Sequence, residues 1–180
     1  GVSRTKTTSS ESQLSYILGG TLSSLKQLYV YDTAVLGESA LAGFRNLENV
    51  IVSRNYKYKS GNDLVDPENP TTGLSEKLKD LNTTYDLIIE GVETFGNYTL
   101  SNLDTIKRAI LLPTDGIDYV NIGNAANLFF DCDSLLYVNL NYISGKLPNR
   151  VFYSCTSMEK VIVPNSVTEM GESVFGWCPN

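Results

Sequence analysis

The stretch CTSMEKVIVPNSVTEMGESVF, running from Cys155 to Phe175, sets apolar residues at fixed steps. Counted from the cysteine, Met158, Val161, Val163, Val167, Met170, Val174 and Phe175 stand at +3, +6, +8, +12, +15, +19 and +20. The pattern starts 23 residues earlier with Cys132, Leu135, Val138 and Leu140, and continues through Ile143, Leu147, Val151 and Phe152. Its offsets match except at Ile143, which drifts by a residue. Cys178 opens the next round, again 23 residues on, and these are the chain's three cysteines. Self-similarity at such a period marks units that cannot bury an apolar face alone and therefore stack.

Towards the N-terminus other apolar residues take the cysteine slot. Phe44, Leu47, Val50 and Val52 repeat offsets 0, +3, +6 and +8, as do Leu22, Leu25, Leu28 and Val30. LGESALAGFRN, Leu36 to Asn46, aligns without gaps on MGESVFGWCPN, Met170 to Asn180, and lays Phe44 on Cys178. The slot is thus an apolar slot. In the middle, Leu78/Leu81 and Leu100/Leu103 fit offsets 0 and +3. Their strand pairs, Leu87/Ile89 and Ile110/Leu112, come three or four residues late, which reads as an extra turn before each strand. The slots are expected at 22, 44, 78, 100, 132, 155 and 178. Residues 54–77 are polar and rich in turn formers, and are expected to leave the repeat as an inserted loop.

Each +6, +7, +8 triplet reads as a short strand with +6 and +8 pointing inward. Stacked, the triplets form a parallel sheet, and parallel crossovers are overwhelmingly right-handed. The Phe-containing segment then returns the chain along the other side as a turn or short helix. The expected architecture is an α/β, right-handed solenoid: one domain over 13–180 of six to seven irregular repeats, behind a polar, flexible lead-in at 1–12. Gly1 reads as an expression remnant. Because the last repeat stops just before its strand, the native chain is expected to run past Asn180.

The Cys155–Phe175 text resembles the BspA-like (Treponema pallidum type) leucine-rich repeat, with pattern C-x-x-L-x-x-I-x-L-P-x-x-[VL]-x-x-I-x-x-x-A-F. The resemblance covers 122–180 closely, 14–53 partly and 54–121 loosely. Val174 stands where the pattern has Ala. The resemblance implies a leucine-rich-repeat solenoid in a secreted or surface-attached protein of mouth or gut bacteria, or of mucosal protists. It also implies adhesion to host or microbial surface protein or glycan. The motif is structural, so it transfers no binding residue.

Apolar residues make up 42% of the 180, enough for a core, and the net charge of −6 sets the fold against phosphate backbones. Nucleic acid is therefore not expected as a partner, and no apolar run is long enough to span a bilayer. The chain has no histidine, which removes the commonest general base and the Ser-His triads. Carboxylate pairs such as Asp131/Asp133 and Glu90/Glu93 carry no motif. Asp63, Asp66 and Glu68 lack the spacing of a calcium loop. Gly-Glu-Ser recurs at one repeat position, which marks a turn rather than a nucleophile. Cys132, Cys155 and Cys178 lack the close pairs of a zinc site and read as free, buried structural thiols. Asn82 and Asn97 begin glycosylation sequons, with meaning only in a eukaryotic host. No enzyme activity, cofactor or metal is expected.

The candidate binding surface is the outward face of the sheet, the inserted 54–77 loop, or both. Offset +7 is occupied by Tyr29, Ile51, Ile88, Leu111, Asn139 and Ile162, with Tyr31, Tyr137 and Lys160 at neighbouring offsets. Tyr29, Tyr31, Ile51, Tyr137, Asn139 and Lys160 are the candidate ligand-binding residues. Exposed aromatic residues suit recognition; equally, apolar and β-branched residues at +7 stabilise strand stacking by themselves. A structural spacer in a larger surface protein is the alternative to an adhesion module.

Overall fold

Inward apolar residues alternating with half-exposed ones give the chain its strands. The computed structural model describes residues 24–30, 41, 43–52, 78–79, 81–91, 95–113 and 116–179. Strands β1 (Gln27–Val30), β2 (Asn49–Val52), β3 (Tyr85–Glu90), β4 (Ile106–Leu112) and β5 (Tyr137–Asn139) form one sheet in chain order, every neighbour parallel. On β3 the alternation is strict: Tyr85, Leu87 and Ile89 are buried, while Asp86, Ile88 and Glu90 are half-buried. The lead-in at 1–12, the 54–77 loop and Tyr31 lie outside the described residues.

The strand register corrects the frame of the middle repeats. Val50 pairs with Leu87, Leu87 with Ala109, and Ala109 with Val138. Since Val50 is +6 from Phe44 and Val138 is +6 from Cys132, the slots in between belong to Leu81 and Leu103, not Leu78 and Leu100. No extra turn precedes either strand. Ala109 and Leu111 point inward and are at most 1% exposed, whereas Ile110 and Leu112 are half-buried. The surplus length lies elsewhere, between Phe44 and Leu81 and between Leu103 and Cys132.

A second ladder runs beside the first. Val120 and Ile143 form a parallel bridge, and β6 (Gly145–Leu147) pairs parallel with β7 (Val167–Met170). Val161–Val163, expected as a further strand of the large sheet, does not join it. The five-strand sheet shortens to three residues at β5, and the last link beyond it is the Glu159 amide donating to the Leu136 carbonyl at 3.3 Å.

The return path is a stack of turn arches, with no helix over 95–113 or 116–179. Each arch has two residues in the left-handed region four positions apart: Tyr98/Asn102, Asn127/Asp131, Arg150/Ser154 and Ser173/Trp177, with φ between 50° and 62°. Only Asn and Asp tolerate this region well among non-glycines, and the others cost on the order of 1–2 kcal/mol each. What offsets that cost is the ladder between arches. The amides of Asn127, Phe129 and Asp131 donate to the carbonyls of Asn149, Val151 and Tyr153. Those of Arg150, Phe152 and Ser154 donate to Glu172, Val174 and Gly176.

The core lies between these ladders. Phe44, Leu81, Leu87, Ile89, Leu103, Val138 and Phe152 are at most 1% exposed, and each such side chain contributes on the order of 1.5–3 kcal/mol by burial. Phe129 stacks on Phe152 (centroids 5.7 Å, interplanar 16°), and Phe152 on Phe175 (5.5 Å, 10°).

Candidate functional site

Parallel register places the same offset of each repeat in one row across the outward face of the sheet. The +5 row is polar: Gln27, Asn49, Asp86, Arg108 and Tyr137 are successive register partners. Within it Arg108 Nε lies 3.6 Å from Asp86 Oδ1, an ion pair between adjacent strands. Lys26 and Glu48 form another at the edge of this face. The +7 row is mostly apolar: Tyr29, Ile51, Ile88, Ile110 and Asn139 are partners in turn. Ile110 therefore takes the outward place expected of Leu111, which is buried.

The candidate residues fall unevenly on this face. Tyr29 is 50% exposed, Lys160 is exposed, and Tyr137 is half-buried. Ile51 is only 5% exposed, so the expectation of an open side chain there is corrected; its register partners on either side are the large Tyr29 and Ile88. Asn139 is half-buried, and its Oδ1 accepts the Asn141 amide at 3.0 Å, holding a local turn. Ile162, beyond the last paired strand, is 49% exposed. The face brings together Tyr29, Asp86, Arg108, Tyr137 and the isoleucine row. The Asp86–Arg108 pair escaped the sequence reading because the slipped frame moved Arg108 out of the outward row.

Cys132 and Cys155 are buried, whereas Cys178, expected to be buried like them, is half-buried; all three are free thiols. Each Sγ donates to a carbonyl of the preceding arch at 3.1 Å: Cys132 to Leu100, Cys155 to Phe129 and Cys178 to Phe152. Burial pushes the Cys155 thiol up to about 12, opposed by a backbone hydrogen bond from the chain around Cys132. Burial raises Cys132 well above its ordinary value and raises Cys178 as well. Such protonated thiols are poor nucleophiles and poor metal ligands. Among the described residues no group of three or more Cys, Asp or Glu is placed to hold a metal ion. The Asp133 carboxylate accepts a hydrogen bond from Thr156 Oγ1 at 2.8 Å, tying two repeats together. No helix among the described residues is long and apolar enough to cross a membrane.

Short parallel strands in chain order, buried +6 and +8 rows and repeated turn arches define a stack of leucine-rich repeats. The family model of the BspA type leucine rich repeat region matches residues 75–180 in six copies, more than half of the chain, and the chain belongs to that family. The match takes in the middle stretch, 78–121, where the frame is hardest to read in the sequence. Comparison with curated proteins and with solved structures gave no match.

Proposed function

We propose that this chain is a recognition module of an extracellular or cell-surface protein, non-catalytic, binding a protein or glycan partner across the outward face of its sheet. The observation that carries this reading is the register that sets a polar row, with Asp86, Arg108 and Tyr137, alongside an apolar row opened by Tyr29. Such a mixture of aromatic, apolar and charged groups is what recognition surfaces use. Family membership supports the surface setting, since the repeat type is associated with surface proteins and leucine-rich repeats generally mediate protein binding. The coil is taken as right-handed, as parallel crossovers are.

The spacer alternative draws on two observations on the same face: Ile51 is buried and the Asn139 side chain serves its own turn. One experiment separates the two readings. The chain is passed over immobilised extracellular-matrix proteins and mucosal glycans, beside a Tyr29→Ala, Tyr137→Ala double variant checked for native circular dichroism. Recognition by this face predicts saturable binding that the variant weakens by roughly tenfold or more, the loss expected of a central aromatic anchor. Absence of saturable binding to any of the panel supports the spacer.

A further inference from the structure

The second ladder carries two short rows on its outer side. The bridge partners Val120 and Ile143 are at most 1% exposed and point inward, so the residues just before and after them point out. These outward residues form two pairs across adjacent repeats, Tyr119 with Tyr142 and Asn121 with Ser144. The Val120 amide donates to the Tyr142 carbonyl at 2.7 Å and holds the register. Tyr119 is 46% exposed and Tyr142 40%. Neighbouring strands lie about 4.8 Å apart, so the two tyrosines stand side by side, one to a repeat.

The chain departs from its repeat to build this corner. Leu140 and Ile143 are three positions apart, whereas their equivalents one repeat earlier, Leu111 and Val120, are nine apart. The surplus length between Leu103 and Cys132 therefore falls here. It turns at Gly116 (φ 83°) and ends by placing Ile117 and Tyr119 in solvent. Insertions into a repeat array often gather on the face that binds, and an inserted turn with no partner is expected to be polar. Away from β1 and the last repeat, the exposed large apolar residues are Tyr98, Ile117, Tyr119 and Tyr142, and three of these four meet at the corner. The row beside them is polar and uncharged. Asn121 Oδ1 accepts the Gly123 amide at 2.9 Å, which leaves its Nδ2 donors without a partner among the described residues. The Ser144 hydroxyl takes the matching place one repeat on.

From this we infer that the corner formed by Ile117, Tyr119, Asn121, Tyr142 and Ser144 binds a neutral oligosaccharide. A sugar ring has an apolar face of C–H groups, which packs on an aromatic ring, and an edge of hydroxyls, which exchange hydrogen bonds with amides and hydroxyls. Each of the two repeats offers one tyrosine with one uncharged polar group two residues on, so successive sugars of one chain meet successive repeats. A protein partner fits less well. Two tyrosines and an isoleucine fall far short of the roughly 800 Å² that a stable protein interface buries on each side. An anionic glycan also fits less well, because Asp118 is exposed between Ile117 and Tyr119 and the chain's net charge is −6. The corner shares no residue with the sheet-face site of Tyr29 and Tyr137, so the two proposals stand or fall separately.

The test titrates the whole chain, labelled for amide NMR, with short linear oligosaccharides of glucose, mannose, xylose, galactose or N-acetylglucosamine, and with a sulfated oligosaccharide beside them. The expected result is saturable shifts with at least one neutral sugar, confined to the amides of 116–121 and 141–145, at a Kd on the order of 1 mM or tighter. A Tyr119→Ala, Tyr142→Ala variant should weaken that binding by roughly tenfold or more. Tyr119→Phe, Tyr142→Phe should keep most of it, and Tyr29→Ala, Tyr137→Ala should leave it unchanged. If the alanine variant loses its native circular dichroism, the shift map of the unaltered chain decides. The inference is overturned by an absence of saturable shifts across the whole panel, by shifts that fall on β1–β5 instead of the corner, or by preference for the sulfated sugar. It is also overturned if an immobilised matrix protein binds the unaltered chain and not the alanine variant, which assigns the corner to a protein.

Discussion

A cysteine in this fold is a packing residue with one directional bond. Cys155 fills the slot that Phe44, Leu81 and Leu103 fill in other repeats, and its thiol donates to the Phe129 carbonyl at 3.1 Å. The consequence for pH follows from its thiol, pushed from 9.0 to about 12 by burial. Below about pH 9 both folded and unfolded chains hold the proton and the group is silent. Between about 9 and 12 the unfolded chain has lost its proton while the folded chain keeps it, so stability falls as pH rises, by up to about 1.4 kcal/mol per unit for each such thiol. Urea midpoints at about pH 8 and about pH 10 should therefore diverge less in Cys155→Ala than in the unaltered chain; an equal divergence would place the thiol in a wetter site than its burial indicates. A second buried group makes the opposite point. The Tyr85 hydroxyl and the Thr105 hydroxyl are buried, and neither makes a hydrogen bond of good geometry, though they lie close enough for Thr105 to counter the raised pKa that burial gives Tyr85. Removing an unsatisfied buried hydroxyl recovers its desolvation penalty, so Tyr85→Phe should be neutral or stabilising by up to about 1 kcal/mol. A loss of more than that in urea unfolding would mean the hydroxyl has a partner.

At the scale of the element, the repeat is held by what passes between arches. Phe152 lies between Phe129 and Phe175, is fully buried, and its amide and carbonyl both join neighbouring repeats. Phe152→Ala should cost about 3–5 kcal/mol, the range for buried phenylalanine, read from denaturant unfolding. A cost below about 2 kcal/mol would show that the stack collapses to fill the space. Gly171 is held by contact rather than by φ. A Cβ there would lie 2.3 Å from Asn149 Oδ1 and 2.7 Å from Asn149 N, and that same Oδ1 accepts the Glu172 amide. Gly171→Ala should destabilise by about 1–3 kcal/mol, as overpacking does. This element also shows why part of the frame was hidden in the sequence. Each arch carries an apolar residue three positions before the slot: Leu41, Leu78, Leu100, Phe129 and Phe152. In the middle repeats leucines hold both the −3 and the 0 places, Leu78/Leu81 and Leu100/Leu103, so a frame moved by three finds the same apolar pair and nothing marks the origin. The 23-residue cysteine spacing marks it in the C-terminal repeats, which is why those were legible; in the middle only the pairing of Leu87 with Ala109, and of Ala109 with Val138, marks it. The inward and outward rows were legible wherever the frame was. The burial of Ile51 was not, because it depends on neighbours from other repeats.

Over the whole molecule, stability should be graded along the stack, since each repeat contacts its neighbours alone. β3 has strands on both sides, spans six residues, and carries Tyr85, Leu87 and Ile89 at no more than 1% exposure. At the C-terminal end the second ladder is a single pair, β6 with β7, and on β7 Val167 is half-buried while Thr168, Glu169 and Met170 are exposed. Its cross-strand ion pair, Lys146 to Glu169 at 2.6 Å, is solvent-exposed and adds at most about 1 kcal/mol. Local opening should therefore begin in the last repeat and spread inward. Amide exchange in native buffer should be slowest at Leu87, Ile89, Ala109 and Leu111 and fastest over 160–179, with intermediate protection at the arches of 126–131 and 149–154. A ligand on the sheet face spans strands that are already firm and should leave the gradient unchanged. Uniform protection from β2 to β7 would contradict nearest-neighbour stacking and make the domain one cooperative unit.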